Sequence, residues 1–283
     1  MIELCAFADE AGSDLKEQIS ALKENGIGYI ELRSINGKNV LSFTDDEVKK
    51  YSEELKNAGI KVWAIGSPVG KTDISVTEED FLKDVSRAVE IAKGFGAKRI
   101  RIFSFFSAYN SCRKVVELLQ KAVEIADKNG VKLCHENEKE VYGDSIERVL
   151  DLFAAVQGLN FVYDPANYIQ CGFNAREARE KTQFCTDYYH IKDVIKNTGE
   201  IVPAGLGDGD IAGLIDSLDG KNAVLTLEPH LKVFDGYAKI DGTEMKNKFN
   251  FNTNREAFDC AARSLKKLLT EKGYKESEGR FLK

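Results

Sequence analysis

Four ionisable residues stand where short apolar segments of the chain's second half end. They are Glu136 after "VKLCH", Asp164 after "NFVY", His190 within "DYYHIK" and Glu228 after "NAVLTL". Three carboxylates and an imidazole brought together in a partly dry pocket would repel one another and lose solvation, and a divalent cation would remove that cost. The set is rich in oxygen and contains no thiolate. It therefore favours Mn²⁺, Mg²⁺ or Co²⁺ over a structural zinc, with Zn²⁺ kept as an alternative.

An alternation of strands and helices is predicted to position these residues. Eight β-rich segments, beginning with "IELCAFA" and ending with "NAVLTLE", alternate with eight amphipathic helical segments. Such alternation indicates parallel strands joined by right-handed crossovers. The eightfold count, a repeat of roughly 35 residues and the absence of a break in composition predict a closed (β/α)8 TIM barrel over residues 1–283 as a single domain. Residues 229–252 form a long irregular stretch with four aromatic residues, which predicts a packed, lid-like loop.

The barrel places the chemistry at the carboxyl ends of its strands. Side chains alternate along a strand, so Glu136 shares a face with Cys134, Asp164 with Val162 and His190 with Tyr188. The same parity puts Glu228 with Thr226. If these faces point inward, the four residues converge at the mouth of the barrel. His135 then points towards the helices, where a structural hydrogen bond is expected.

Composition excludes some partners. The 283 residues carry a net charge of −6 with a pI near 5.4, which gives no general attraction to nucleic acid or to an anionic membrane. No secretory signal and no apolar run of membrane-spanning length occurs, so a cytoplasmic protein is expected. The six cysteines include no C-x-x-C pair and are expected to be reduced and mostly buried.

Further polar residues are predicted to bind substrate. Lys71 in "GSPVGKTDIS" could bind it as a cation, although a surface lysine is an equal alternative, and the glycine spacing does not match a P-loop. Arg101 on the fourth strand and Lys192, two residues after His190, could face the barrel interior. His230 could face the site or belong to the lid. In "AGLGDGDI" (204–211), a tight turn capped by Asp208 or Asp210 is favoured over a phosphate-binding loop.

At these positions the sequence resembles a known family. The segments "LCHEN", "YDPANY", "YYHIKD" and "TLEPHL", in this order and spacing, resemble the xylose isomerase-like barrel superfamily, in particular its sugar phosphate isomerase/epimerase branch. The resemblance extends to "FADE", "IELR", "AIGSPVGK" and "IRIFS". It implies one divalent metal ion, commonly manganese, held by Glu136, Asp164, His190 and Glu228.

The resemblance also implies a reaction. In family members that epimerise or isomerise ketoses, the residues matching Glu136 and Glu228 move the substrate proton. A metal ion that polarises a carbonyl and its neighbouring hydroxyl stabilises a cis-enediolate, while one carboxylate removes a proton and the other returns it. The expected protein is a metal-dependent sugar or sugar phosphate isomerase or epimerase with a small carbohydrate substrate. Whether it is a homo-oligomer is left open.

Three alternatives stay open to different degrees. A metal-dependent dehydratase or lyase acting on a cyclic polyol or keto acid, similar to inosose dehydratase, would share the barrel, the metal and the proton abstraction. An apurinic-site endonuclease of the same superfamily needs more histidines than the three present, and Asn167 stands where its pattern has a histidine. Asn167 is instead assigned to substrate binding. A non-catalytic sugar-binding protein would not require the two converging glutamates.

Overall fold

Eight parallel strands form a closed barrel in the computed structural model, which describes residues 1–234, 245–246, 249–277 and 279–283. The strands are β1 (Ile2–Ala6), β2 (Tyr29–Leu32), β3 (Lys61–Gly66), β4 (Arg99–Ile102), β5 (Lys132–Glu136), β6 (Asn160–Tyr163), β7 (Thr186–Ile191) and β8 (Ala223–Leu227). Each strand pairs with the next in sequence, and β8 pairs in parallel with β1 from Ile2↔Ala223 to Ala6↔Leu227. The predicted (β/α)8 barrel is confirmed.

Helices follow the strands, as the predicted alternation requires. They are α1 (Leu15–Glu24), α2 (Asp45–Ala58), α3 (Glu78–Phe95), α4 (Cys112–Lys128), α5 (Ile146–Ala155), α6 (Pro165–Gln170), α7 (Ala175–Thr182), α8 (Ile211–Ser217) and α9 (Asn254–Glu271). Thr44 and Glu47 form a capping box at the start of α2, and Gly59 ends that helix with a φ of 77°. Helix α6 was not predicted, because its six residues are too few to show a helical hydrophobic period.

Short antiparallel pairs add to the barrel without a signal in the hydrophobic pattern. Strands β9 (Lys275–Ser277) and β10 (Arg280–Leu282) form a hairpin, and β10 pairs with β1. Two-residue ribbons join Ser34–Ile35 to Lys38–Asn39 and Asp193–Val194 to Ile201–Val202. Segments this short cannot show an alternating hydrophobic pattern, so that pattern does not identify them.

The apolar core has an outer and an inner part. The outer part lies between the strands and the surrounding helices, while a small inner cluster fills the barrel with Cys5, Ala64, Cys134, Val162, Tyr188 and Val224. The inward position of Cys134, Val162 and Tyr188 confirms the strand parity on which the site prediction depends. All six cysteines are free thiols, and Cys134 is buried as expected.

The predicted lid, 229–252, lies partly outside the described residues, since 235–244 and 247–248, including Tyr237, are not described. Its described ends are packed. Phe234 is buried, Phe251 packs against the outer core, and Lys232 donates a hydrogen bond to the Phe251 carbonyl at 2.9 Å. A lid function stays a prediction. Among the described helices, none is long and apolar enough to cross a membrane.

Candidate active site

The four strand-end residues lie together at the carboxyl end of the barrel. Glu136 is the last residue of β5, while Asp164, His190 and Glu228 lie at the ends of β6, β7 and β8. Each offers one ligand atom, these atoms all lie within 4.8 Å of one another, and no member of the set is more than 2% exposed. The structure therefore brings together the residues that the sequence predicts to hold a metal ion.

Three carboxylates from different parts of the barrel fix the orientation of the His190 ring. Its Nδ1 lies 3.1 Å from Glu136 Oε1 and 3.2 Å from Glu228 Oε2, whereas Nε2 lies 3.1 Å from Glu31 Oε2. Tyr188 Oη donates to the other oxygen of Glu31 at 2.9 Å. In the neutral imidazole, an Nε2–H that donates to Glu31 leaves the Nδ1 lone pair facing the cluster, which is the form that binds a metal ion. The carboxylates that surround the ring raise the pKa of His190 despite its burial.

An arginine holds one oxygen of each glutamate in the cluster. Arg101 Nη1 lies 3.1 Å from Glu136 Oε2, and Arg33 Nη1 lies 3.3 Å from Glu228 Oε1. The Phe7 ring lies against both guanidinium groups, 5.3 Å from that of Arg101 and 4.3 Å from that of Arg33. Burial opposes ionisation, but His190 and Arg101 outweigh it and lower the pKa of Glu136 to about 2. The pKa of Glu228 is also lowered against its burial, chiefly by Lys192 and His190.

Asp164 is anchored through its backbone and one carboxylate oxygen. Its Oδ1 accepts the Asn167 backbone N–H at 3.0 Å as the N-cap of α6, and its backbone exchanges two hydrogen bonds of 2.8 Å with the Asn137 side chain. Oδ2 points elsewhere and lies 2.9 Å from Lys192 Nζ. Burial raises the pKa of Asp164 to about 6, although Lys192 opposes the shift.

This donor set fits a divalent cation. Asp164 Oδ2 and Glu228 Oε2 are buried, and neither accepts an aligned hydrogen bond from the described residues. Three carboxylates share the cluster with one imidazole, a composition typical of Mn²⁺ and Mg²⁺ sites that Zn²⁺ also accepts.

The predicted substrate-binding residues fall into two groups. Arg101, Asn167, Lys192 and His230 are all buried at or beside the cluster, and Asn167 Nδ2 donates to Glu136 Oε1 at 3.3 Å. Lys71 lies at the rim instead, where its Nζ is 2.8 Å from Glu138 Oε2 and both side chains remain slightly exposed. Glu138 is thus the partner of Lys71.

The sequence interpretation missed a set of charged residues after β1 and β2. Arg33 binds Asp9 through Nε at 2.9 Å and Glu10 through Nη2 at 3.2 Å. Glu10 Oε2 accepts the His230 backbone N–H at 2.7 Å, and burial raises the pKa of Glu10 to about 8. A signal was available for Asp9 and Glu10, because "FADE" follows an apolar strand just as the second-half motifs do.

Two further predictions have a clear structural outcome. His135 is buried on the helix side of β5, and its Nε2 lies 2.8 Å from Ser104 Oγ, in agreement with a structural role.

In the 204–210 loop, the Asp193 carboxylate accepts backbone N–H groups of three glycines, Gly205, Gly207 and Gly209, at 2.8 to 3.0 Å. The donors that a phosphate would need are therefore already occupied. Asp210 occupies the N-cap position of α8 but makes no side-chain capping bond; it pairs with Arg176 and Arg179.

Comparisons with known proteins agree with this architecture. A family model described as xylose isomerase-like TIM barrel matches residues 19–247. No curated protein sequence matches the chain. Among solved structures, an IOLI protein with a bound zinc atom has 18% identity and a TM-score of 0.74 over 95% of this chain and 98% of its own.

Two other similar structures are those of proteins named for different reactions. The probable 3-DHS dehydratase AsbF of Bacillus anthracis has 16% identity and a TM-score of 0.70, over 95% of this chain and 98% of its own. A D-tagatose 3-epimerase-like protein has 17% identity and a TM-score of 0.70, over 96% and 99%. At such identities the likeness shows the fold.

Proposed function

This chain belongs to the xylose isomerase-like TIM barrel family, and from that premise we propose that it is a divalent-metal-dependent isomerase or epimerase of a small sugar. The observation that carries the proposal is the pair of buried glutamates, Glu136 and Glu228, which approach His190 Nδ1 through one oxygen each at 3.1 and 3.2 Å. The other oxygen of each is held by an arginine. The similarity to the structure of a D-tagatose 3-epimerase-like protein is consistent with the proposal.

Glu136, Asp164, His190 and Glu228 would hold the ion, with Mn²⁺ the expected metal. When bound, the ion supplies a Lewis acid that polarises a substrate carbonyl and the adjacent hydroxyl. The remaining chemistry belongs to side chains of this protein. Glu136 and Glu228 are both held as anions, so either can accept the proton on the carbon beside the carbonyl.

Positively charged and amide groups would orient the substrate. Lys192 and Arg101 are buried beside the two glutamates and would stabilise negative charge on the substrate oxygens as the enediolate forms. Asn167 already donates to Glu136, so it can keep that carboxylate aligned while the proton moves. Return of the proton to the opposite face gives epimerisation, and return to the adjacent carbon gives isomerisation.

Exchange of the substrate proton with solvent tests the proposal. Protein loaded with Mn²⁺ is incubated in D₂O with ketoses, ketose phosphates and inososes, and deuterium incorporation beside the carbonyl is followed by NMR. Glu136→Gln and Glu228→Gln should each lose exchange by a factor of at least about 100, the lower range of general base contributions. Glu140→Gln, in an exposed loop position after β5, is the matched control and should exchange as the unsubstituted protein does. Normal exchange in both Gln variants would refute the assigned roles.

A dehydratase is the second candidate, and Glu10 is the specific observation in its favour. With a pKa of about 8, the Glu10 carboxyl is largely protonated at neutral pH. Glu10 forms a cluster with Glu228 and His230, in which one possible ligand atom from each residue lies within 4.8 Å of the others. A carboxylic acid at this place could give its proton to a leaving hydroxyl. Mass spectrometry separates the candidates, because dehydration produces a compound lighter by one water and isomerisation leaves the mass unchanged.

A further inference from the structure

Lys192 places an ammonium group inside the candidate metal cluster. The residue directly follows β7, two positions after His190, and is only 4% exposed. Its Nζ lies 2.9 Å from Asp164 Oδ2 and 3.6 Å from Glu228 Oε2. These are the two buried carboxylate oxygens that accept no aligned hydrogen bond from the described part of the chain. The contact is therefore one of charge, without the directionality of a hydrogen bond.

The other two buried cations of the site are committed elsewhere. Arg101 binds Glu136 Oε2 and the Ser67 carbonyl oxygen. Arg33 binds Asp9, Glu10 and Oε1 of Glu228, the outer oxygen of that glutamate. Within the described ranges, Lys192 is thus the lysine or arginine that neutralises Asp164 Oδ2 and Glu228 Oε2.

The two carboxylates do not depend on Lys192 for their positions. Asp164 is fixed by the N-terminus of α6 and by Asn137, and Glu228 is fixed by Arg33. The lysine side chain, in contrast, is a flexible four-carbon chain with an ammonium group at its end. Its head can leave the two oxygens while the oxygens stay where they are.

We infer that Lys192 is an internal counter-ion that occupies, in the metal-free protein, the oxygens that a divalent ion requires, so that metal binding displaces its ammonium group. The inference rests on the metal centre of the proposed function. A divalent ion and an ammonium group repel each other strongly at such distances, so both cannot neutralise Asp164 Oδ2 and Glu228 Oε2 together. Once displaced, the ammonium group would face the substrate oxygens. The free energy needed to move the Lys192 ammonium group then lowers the affinity of the protein for the metal ion.

Replacement of the ammonium group by an uncharged side chain of nearly the same length tests the inference. Mn²⁺ binding to the full chain is measured by the loss of the electron paramagnetic resonance signal of free Mn²⁺, which does not depend on turnover. Lys192→Met should bind Mn²⁺ with a Kd at least tenfold lower than that of the unsubstituted protein. Addition of Mn²⁺ should also raise the unfolding temperature of Lys192→Met by more than it raises that of the unsubstituted protein. Lys71→Met is the matched control, since Lys71 pairs with Glu138 at the rim, and its Kd should change less than twofold.

Each outcome has a separate meaning. A tenfold gain in Lys192→Met alone supports the inference, as does binding by this variant when the unsubstituted protein binds none. An equal or weaker affinity in Lys192→Met overturns the inference and leaves the metal centre standing. Absence of Mn²⁺ binding in both proteins overturns the metal centre and the inference with it. If Lys192→Met does not fold, Lys192→Gln removes the same charge and carries the same expectations.

Discussion

The Asp193 carboxylate organises the loop after β7, and its replacement by asparagine should destabilise the protein by a predictable amount. Oδ1 accepts the backbone N–H groups of Val194 and Gly209 at 2.9 and 2.8 Å, and Oδ2 accepts those of Gly205 and Gly207 at 2.8 and 3.0 Å. Both oxygens thus accept two bonds each. An asparagine can keep one oxygen in place but must put an NH₂ group at the other, where two donors would face it.

The loss of stability depends on which pair of backbone N–H groups loses its acceptor oxygen. The bonds to Gly205 and Gly207 are partly buried, while that to Gly209 is fully buried, so the amide should turn its NH₂ group towards Gly205 and Gly207. A donor left without an acceptor costs about 1 kcal/mol at the lower end of the usual range, which applies to partly buried groups. Asp193→Asn should therefore lower the free energy of unfolding by about 2 kcal/mol and the unfolding temperature by about 4 °C.

Calorimetry measures the stability, and hydrogen–deuterium exchange with mass spectrometry reports on residues 204–210. Asp208→Asn in the same loop is the control: Asp208 Oδ2 accepts one exposed N–H, from Lys196 at 2.7 Å, so its loss should cost no more than about 0.5 kcal/mol. The exchange rate of the loop should rise in Asp193→Asn and stay unchanged in Asp208→Asn. Equal stability and equal exchange in the two variants would show that the carboxylate does not hold the loop.

Two other changes have effects with a definite sign. Burial lowers the pKa of His135 to about 4, so the unfolded chain binds more protons than the native state between pH 6.5 and 4. The free energy of unfolding therefore decreases as the pH falls through this window, by about 2 kcal/mol at pH 5. Urea unfolding at pH 7.5 and pH 5 should show a smaller decrease in His135→Gln than in the unsubstituted protein. An equal decrease in the two proteins would contradict the lowered pKa of His135. Gly70 has a φ of 80°, and a Cβ there would lie 2.2 Å from the Phe103 carbonyl oxygen, whereas Gly59 has a φ of 77° and open space around it. Gly59→Ala should cost about 1 kcal/mol from backbone strain and Gly70→Ala at least about 2 kcal/mol more from the clash, and similar losses in the two would refute the close contact.

The parts of the fold that the sequence predicts are those with a periodic pattern. The strands carrying Glu136 and Glu228 are apolar runs bounded by turn residues, and α2 carries Thr44 and Gly59 at its ends. Strand parity then decides which side chains enter the barrel, because successive residues alternate between its two faces. Short elements lack such a period. The ribbon Asp193–Val194 and the six-residue helix α6 are too short to show one, so the hydrophobic pattern does not record them.

The candidate site was predicted in part for a related reason. Residues that end strands of the second half stand out as isolated charges after apolar runs, so Glu136 and Asp164 are visible in the sequence. Glu31 lies within β2, and Arg33 follows it in a segment where charges alternate with apolar residues, so neither seems unusual locally. Their roles depend on partners more than 150 residues away, Glu31 with His190 and Arg33 with Glu228. Only closure of the barrel brings these pairs together.

The balance of buried charge at this end of the barrel connects the missed residues with the predicted ones. Around the cluster, six of the buried carboxylic acids meet three buried lysine and arginine side chains: Asp9, Glu10, Glu31, Glu136, Asp164 and Glu228 against Arg33, Arg101 and Lys192. With every acid ionised, the excess is three negative charges, which a dry pocket does not tolerate. The raised pKa of Glu10 removes one of them near neutral pH. His190 is a further buried cation as long as its ring is protonated, because its carboxylate neighbours raise its pKa, but it must lose that proton to bind a metal ion. With His190 neutral as a ligand, a divalent cation would remove the other two negative charges and a monovalent cation would leave one, so the divalent ion gives the neutral pocket.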